Sequence, residues 1–283
     1  MKKLWIITLL FLPLLSSSQY LHLNLFGGFS NYQGDLQEKQ FTLDQSNGAV
    51  GIGLQYDISN HFSLRTGLMH GRVTADDKQN KPSLRVRNLS FTSAILEGNI
   101  ILDYNIFDLN EKKFTPYLFG GLAVYHYDPY AYDTLGNRIY LKPLATEGQG
   151  LDRYPDRKPY KLTQLSLPVG AGIKLKVSDH IVLGYEIGMR KLFTDYLDDV
   201  SNVYADATVL SAARGAKAVQ MAYRGGEIKN GNPVYPAEGS IRGGAKQKDW
   251  YYFQGITVSF TLPRGNFGGD SRGHKMGCPG PIF

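Results

Sequence analysis

The chain alternates apolar and polar residues in eight segments, each of about the 9–11 residues that a tilted membrane-spanning strand requires. In the clearest one, from Leu165 to Val177, apolar residues occupy every second position, while serine, glycine and lysine dominate the positions between them. A period of two residues predicts β-strands with one apolar face. The eight predicted strands cover residues 20–32, 49–59, 61–75, 88–106, 114–127, 162–177, 180–194 and 250–262.

The fourth segment departs from strict alternation. It begins on Leu89 and Phe91, changes phase near residues 94–96, and then continues on Ile100 and Leu102. One extra residue inserted into a strand produces such a shift, so the pattern predicts a β-bulge at this point.

The connections between these segments have two lengths that strictly alternate. Outer-membrane barrels show this order because short periplasmic turns alternate with longer external loops. A soluble sandwich or a lipocalin-like barrel has no reason to sort its loops in this way. Residues 20–262 are therefore predicted to form an all-β, eight-stranded antiparallel up-and-down transmembrane β-barrel with both termini in the periplasm. The short connections are 57–61, 107–113 and 177–180, and the long ones are 33–48, 76–87, 128–161 and 195–249.

Charged residues lie on the face of these strands that is opposite the apolar one. A basic residue facing lipid costs roughly 2–4 kcal/mol at mid-depth, so these side chains are expected to point inward and to pair with one another. Eight strands enclose a space that side chains can just fill, which predicts a plugged barrel and not a pore. The predicted interior charge network consists of Arg65, Glu97, Asp103, Lys174, Glu186 and Arg190.

Residues 1–19 predict a cleaved secretory signal peptide and hence export towards a Gram-negative outer membrane. They combine Lys2 and Lys3 with an apolar run over residues 4–15, too short for a transmembrane helix, and a serine stretch. The 32 glycines and 19 tyrosines suit an all-β protein. The net charge of +6 is spread along the chain without a basic run interleaved with aromatics, so nucleic acid is not an expected partner. Membrane lipid is an expected contact of the predicted barrel.

The residues that carry catalytic or metal chemistry elsewhere form no convincing constellation here. His126 is the least implausible base for a lipid hydrolase, but strand phase pairs no serine with it. Asp195, Asp198 and Asp199 could face a hard cation, although a solvated loop mouth is the favoured interpretation. The glycine pairs do not lie between a strand and a helix, which disfavours nucleotide binding. The sequence therefore predicts no enzyme, cofactor, metal site or small-molecule substrate.

One helix is predicted, over residues 203–222 in the last long loop. Gly215 weakens it because glycine is a poor helix former. Its alanine-rich face is expected to pack on the mouth of the barrel in preference to a partner.

Residues 263–283 form a polar tail rich in glycine and proline, predicted to lie in the periplasm. The tail contains Cys278, the only cysteine of the chain. An odd cysteine in an exported protein indicates either an intermolecular disulfide or a free thiol, and both alternatives stay open.

Several stretches carry a family resemblance, and residues 143–150 (PLATEGQG) and 194–201 (TDYLDDVS) are the most specific of them. On these stretches the chain resembles the outer-membrane barrel component of the type IX protein secretion system, the PorG-like proteins. The full set consists of residues 27–36, 114–129, 140–150, 165–201 and 249–260.

The resemblance implies a barrel that is not itself the translocation channel. It implies contact with a periplasmic ring, formed by a lipoprotein and its soluble partner, which the barrel anchors or couples to the outer membrane. The residues 277–279 would lie on the ring side. The alternative hypothesis is a small porin-like or ligand-binding outer-membrane barrel that uses its long loops.

Overall fold

A computed structural model describes residues 21–37, 45–244 and 248–263. The predicted signal peptide lies outside these residues, as does Cys278 with the tail that follows Pro263. Within the described ranges, no helix combines the length and the apolar character needed to cross a bilayer.

All strands pair antiparallel, and eight of them close into a barrel, as predicted. Strands β1–β5 and β8–β10 form the wall in chain order, and β1 closes it by pairing with β10. The short strands β6 and β7 form a hairpin that is attached to β4. The strands are β1 Leu21–Gln33, β2 Asn47–Asp57, β3 Phe62–Asp76, β4 Ser90–Asn105, β5 Phe114–Tyr127, β6 Tyr130–Tyr132, β7 Arg138–Tyr140, β8 Thr163–Lys176, β9 Ile181–Leu192 and β10 Trp250–Thr261.

The predicted alternation of connection lengths is confirmed. Residues 58–61, 106–113 and 177–180 connect strands at one end of the barrel, which we call the short-turn end. The longer connections 34–46, 77–89, 128–162 and 193–249 lie at the other end, the long-loop end. The start of β1 and the end of β10 both lie at the short-turn end.

Strand β4 contains no bulge, so the prediction of one at residues 94–96 is wrong. Its pairing with β3 runs without interruption from Tyr104 opposite Phe62 to Ser90 opposite Asp76. Phe91 points into the barrel and is 1% exposed. The interior is apolar near the long-loop end, and apolar residues on the inner face gave the sequence the appearance of a change in phase.

The outer wall of the barrel is a continuous apolar belt. Large side chains such as Leu122 and Ile100 are 63% and 58% exposed, which a soluble protein avoids over so wide a surface. Aromatic rings rim the belt at the short-turn end, where the rings of Phe62 and Tyr104 lie 5.1 Å apart. A closed barrel with such a belt is a membrane-spanning barrel of the outer-membrane type.

The loops at the long-loop end fold over the barrel, and we call residues 128–162 together with the described part of 193–249 the loop cap. The predicted helix is present as two helices, because Gly215 adopts φ 84° and ψ 166°, a region open almost only to glycine. Leu210 and Ala218 are buried between these helices and Leu144 of the other loop. The helices are α1 Pro82–Arg85, α2 Ala207–Arg214 and α3 Ala216–Ala222, with 3₁₀ turns at Asp77–Gln79, Lys142–Leu144 and Gly225–Glu227.

Candidate functional site in the filled interior and the loop cap

The structure places all six predicted charged residues inside the barrel and divides them between two networks. In the lower network, nearer the short-turn end, Arg65 Nε lies 3.0 Å from Asp103 Oδ1 and Arg65 Nη1 lies 2.9 Å from Glu186 Oε2. Lys174 Nζ lies 2.9 Å from Asp103 Oδ2, and the Tyr117 hydroxyl donates to Glu186 at 2.5 Å. Both carboxylates thus receive more than one donor, which offsets the loss of their hydration.

The upper network is built around Glu97, which is 0% exposed. Arg190 binds it in the bidentate manner, with Nε 3.0 Å from Oε2 and Nη2 3.2 Å from Oε1. The Tyr251 hydroxyl and the Asn99 amide donate to the same carboxylate at 2.7 and 2.8 Å. These contacts link strands β4, β9 and β10 across the interior.

A cavity of about 40 Å³ separates parts of the two networks. Arg65, Glu186 and Arg190 line it together with Asn99 and Met69. A cavity of this size has room for only a few water molecules. For residues 21–37, 45–244 and 248–263, the barrel interior at this level is therefore a packed polar core and not a water-filled pore.

A stack of tyrosines continues the core from the upper network into the loop cap. Tyr125 lies 5.5 Å from Tyr127 between ring centroids, and Tyr127 lies 6.3 Å from Tyr160 of the cap. Tyr160 stacks in turn on Tyr196 at 5.1 Å. Barrel and cap therefore share one continuous aromatic core.

Glu147 holds the two long loops of the cap together. Its side chain is 0% exposed, and Arg242 Nη1 lies 3.0 Å from Oε1. The backbone N–H of Ser201 and the hydroxyl of Tyr196 donate to it, both at 3.0 Å. One buried side chain of the first loop thus fixes three positions of the second.

Asp199 is the second carboxylate of the cap core. It accepts hydrogen bonds from the Thr146 hydroxyl at 2.5 Å and the Tyr160 hydroxyl at 2.8 Å, and Arg242 Nη2 lies 3.8 Å away. Burial raises the pKa of Asp199 to about 6, even though Arg242 and the two hydroxyls favour the charged form.

Tyr32 of β1 bridges two further buried acids. Its hydroxyl oxygen lies 2.6 Å from Asp198 Oδ2 and 3.0 Å from Asp249 Oδ1. A hydroxyl has one proton to donate, so the second contact requires a protonated carboxyl as donor. Burial raises the pKa of both acids, and the charge of Asp198 raises that of Asp249 further. This acid pair fastens the cap to the barrel wall.

The prediction that Asp195, Asp198 and Asp199 lie in a solvated loop mouth is wrong. They are 2%, 1% and 0% exposed, and each accepts hydrogen bonds from the protein. Asp198 and Asp199 have partners in β1 and in the other long loop, which local sequence cannot indicate, whereas Asp195 accepts from Ser201 of its own loop. In the described part of the chain, no group of three or more histidine, cysteine or acidic side chains is arranged to hold a metal ion.

His126 lies on the outer wall of the barrel. Its Nδ1 lies 2.9 Å from the hydroxyl of Thr163 on the neighbouring strand. The structure thus puts a threonine beside the candidate base, where a lipid hydrolase of the kind considered would need a serine.

Sequence reasoning missed the cap core. Its ionisable members include Glu147, Arg242 and Asp249. Arg87 of the 77–89 connection contacts it by donating to the Arg242 carbonyl, and its Nε lies 2.8 Å from Asp77 Oδ2. One signal was available, since the two most specific stretches of the resemblance, residues 143–150 and 194–201, meet here through Thr146–Asp199 and Glu147–Ser201.

Residues 1–214 match a family described as a domain of unknown function, DUF6089. The chain belongs to this family. The DUF6089 match includes β1–β9 and α2, while Arg242, Asp249 and β10 follow it. No curated protein matches the chain.

Among solved structures, several membrane proteins are similar to this DUF6089 chain at low identity. Neisserial surface protein A has 8% identity and a TM-score of 0.41, covering 86% of this chain and 97% of that one. The outer membrane protein OprG from Pseudomonas aeruginosa has 11% identity and a TM-score of 0.40, covering 86% and 98%. Ail from Yersinia pestis, in complex with the heparin analogue sucrose octasulfate, has 8% identity and a TM-score of 0.40, covering 86% and 99%. The assignment of the fold rests on the strand pairing described above.

Proposed function

We propose that the chain is a non-enzymatic, non-conducting outer-membrane anchor, a filled barrel that holds other proteins at the membrane. One observation supports this most directly: paired buried charges such as Arg190 and Glu97 occupy the space that would be water in a porin. A porin would need this space free, and the cavity of about 40 Å³ is far too small for a path across the membrane.

The proposed orientation places the short-turn end in the periplasm and the loop cap outside the cell. It follows the usual arrangement of outer-membrane barrels, whose periplasmic turns are the short ones. Both ends of the barrel wall, Leu21 and Thr261, then lie on the periplasmic side. The tail of residues 263–283 would leave the barrel towards the periplasm.

The proposed partners are the periplasmic ring lipoprotein of the type IX secretion system and its soluble partner. The sequence resemblance supports this part of the proposal. The tail would contact the ring, with Cys278 as the residue available for an intermolecular disulfide in an oxidising compartment.

The non-conducting barrel is tested by reconstituting the full chain in planar bilayers. We expect no stable channels, because the interior charges are paired across the barrel. Stable channels in the wild-type protein would contradict a filled interior and would favour the porin-like alternative.

The partners are tested separately by pull-down from solubilised native membranes, with and without reductant. Deletion of residues 263–283 should abolish recovery of the ring proteins, and Cys278→Ser should remove any reductant-sensitive band of higher mass. If the deletion leaves recovery unchanged, the tail is not the contact. If no such band exists in wild type, the disulfide is excluded while the non-covalent contact still stands.

A further inference from the structure

The outer wall near the long-loop end carries a cationic side chain just beyond the apolar belt. Leu96 on β4 belongs to the belt and is 53% exposed. Ala94 is the next residue of β4 after Leu96, towards the long-loop end, whose side chain faces outward. Arg72 on β3 lies opposite Ala94, and its side chain is exposed. Two residues of a strand span about 6–7 Å, and headgroups extend roughly 5–7 Å beyond the hydrocarbon core on each side. Arg72 therefore lies at headgroup level.

The hairpin of β6 and β7 extends this outward face. It joins β4 through Tyr130, which lies opposite Thr92. Thr92 is two residues closer to the long-loop end than Ala94 and lies on the same face of β4. Ala131 is 3% exposed and Ile139 packs against the core, so these two residues form the inner face of the hairpin. The opposite face of the hairpin consists of Tyr130, Tyr132, Arg138 and Tyr140, of which Tyr130 is only 6% exposed.

The side chains of this face contact one another. The Arg138 guanidinium carbon lies 4.4 Å above the Tyr130 ring, whose centroid is 5.9 Å from that of Tyr140. Tyr132 and Tyr140 are 48% and 43% exposed. We call the set Arg72, Tyr130, Tyr132, Arg138 and Tyr140 the arginine–tyrosine face.

Positive charge predominates on this face. Among the described residues, no carboxylate forms an ion pair with Arg72 or Arg138. Asp128 lies nearby, with His126 and Lys142 as its charged neighbours. The hairpin's own acid, Asp133, is engaged by Lys217 at 3.1 Å.

We propose that the arginine–tyrosine face binds the phosphate of an anionic lipid headgroup in the leaflet on the long-loop side. A guanidinium offers parallel N–H donors that match phosphate oxygens, and exposed tyrosines are suited to the boundary between apolar and polar regions. The face continues the lipid-contacting belt without a break, so its occupant is a lipid and not a soluble anion. This proposal requires the membrane belt and is independent of the periplasmic partners.

The test is native mass spectrometry of the full chain in detergent, titrated with diphosphorylated lipid A, with the same lipid after dephosphorylation, and with inorganic phosphate alone. Wild type should bind the phosphorylated lipid about tenfold more tightly than the dephosphorylated one, since each arginine supplies charge-assisted hydrogen bonds. The double variant Arg72→Gln/Arg138→Gln should lose this preference. Arg72→Lys/Arg138→Lys should retain part of it, because the charge remains without the planar fork.

Arg214→Gln is the matched control, since Arg214 is an exposed arginine at the end of α2, away from the belt. It should behave as wild type. Heat-dependent migration on gels establishes that each variant is folded. The proposal is overturned if the double variant binds like wild type, if wild type does not distinguish the two lipids, or if inorganic phosphate alone binds as tightly as the phosphorylated lipid.

Discussion

Glu97 shows how a single residue can be charged and buried in a membrane protein. Two nitrogens of Arg190, the Tyr251 hydroxyl and the Asn99 amide surround its carboxylate. An unpaired charge in such a site would be costly, whereas a pair with further hydrogen bonds approaches neutrality in free energy. Removing either Glu97 or Arg190 alone would therefore leave the other charge buried and unpaired and would destabilise the barrel.

Arg190→Met should lower the free energy of unfolding by about 3–5 kcal/mol, because Glu97 would stay buried without its charged partner. The measurement is a urea titration of the folded barrel in detergent micelles. The double variant Arg190→Met/Glu97→Leu should lose less than Arg190→Met alone, since no unpaired charge remains. Arg214→Met serves as the exposed control. A double variant whose loss equals the sum of the two single losses would show that the residues are not coupled.

Asp199 should make the loop cap less stable as pH rises. Its pKa of about 6 in the folded chain lies above the value of about 3.9 for an unfolded aspartate. Its contribution is therefore fully present below pH 4 and is lost as pH rises through about 6. The pKa of Asp195 is also raised to about 6 by burial and acts in the same direction.

Hydrogen exchange measures this effect. Amides of residues 193–222 should show lower protection factors at pH 8 than at pH 5, after correction for the intrinsic exchange rates. Asp199→Asn should reduce the difference, because the amide has no charge to desolvate. Asp152→Asn, at an exposed position, should leave it unchanged. Protection that increases towards pH 8 would contradict the assignment.

At the scale of elements, alternation sufficed to predict all eight barrel strands, and β5 was predicted to the residue. The pattern is reliable where one face meets lipid and the other meets polar groups, as around Leu118 and Leu122. It failed in β4, where Phe91 faces an apolar interior and both faces look alike. The interior charges were predictable from strand phase. The cap core was not, because Glu147 and Arg242 are far apart in sequence and belong to loops without a period.

Gly215 separates α2 from α3, and its replacement tests the break between them. Gly215→Ala should destabilise the cap by about 1–3 kcal/mol, because φ 84° with ψ 166° is strained for any residue with a Cβ. No neighbour would clash with the added methyl group, so the effect would come from the backbone alone. The measurement is the protection of amides in residues 203–222 against hydrogen exchange.

Gly48→Ala is the control for that substitution. An added Cβ at Gly48 also meets no neighbour, and its backbone lies outside the strained region. It should leave the protection of the helices unchanged. Increased protection in Gly215→Ala would mean that a continuous helix is compatible with the cap.

At the scale of the whole molecule, two layers close the barrel. The ion-pair networks fill the interior of the barrel at the level of the belt, and the loop cap covers the long-loop end. Pairing between the strands themselves sets the register, as between β1 and β10, and does not involve the loop cap. The two layers should therefore be separable, although the tyrosine stack and the contact of Tyr32 with Asp198 join them.

Replacing residues 194–248 with an Asn-Gly turn tests this separation. The shortened chain should still fold as a barrel, seen as heat-dependent migration on gels, because β9 and β10 keep their pairing and outer-membrane strands tolerate short turns. It should also stay non-conducting in planar bilayers, since Arg65, Glu186 and Arg190 belong to wall strands and their side chains would still fill the interior. Adding Arg65→Ser, Glu97→Ser and Arg190→Ser to the shortened chain should then produce conductance. Channels in the shortened chain without these substitutions would make the cap, and not the charge networks, the seal of the barrel.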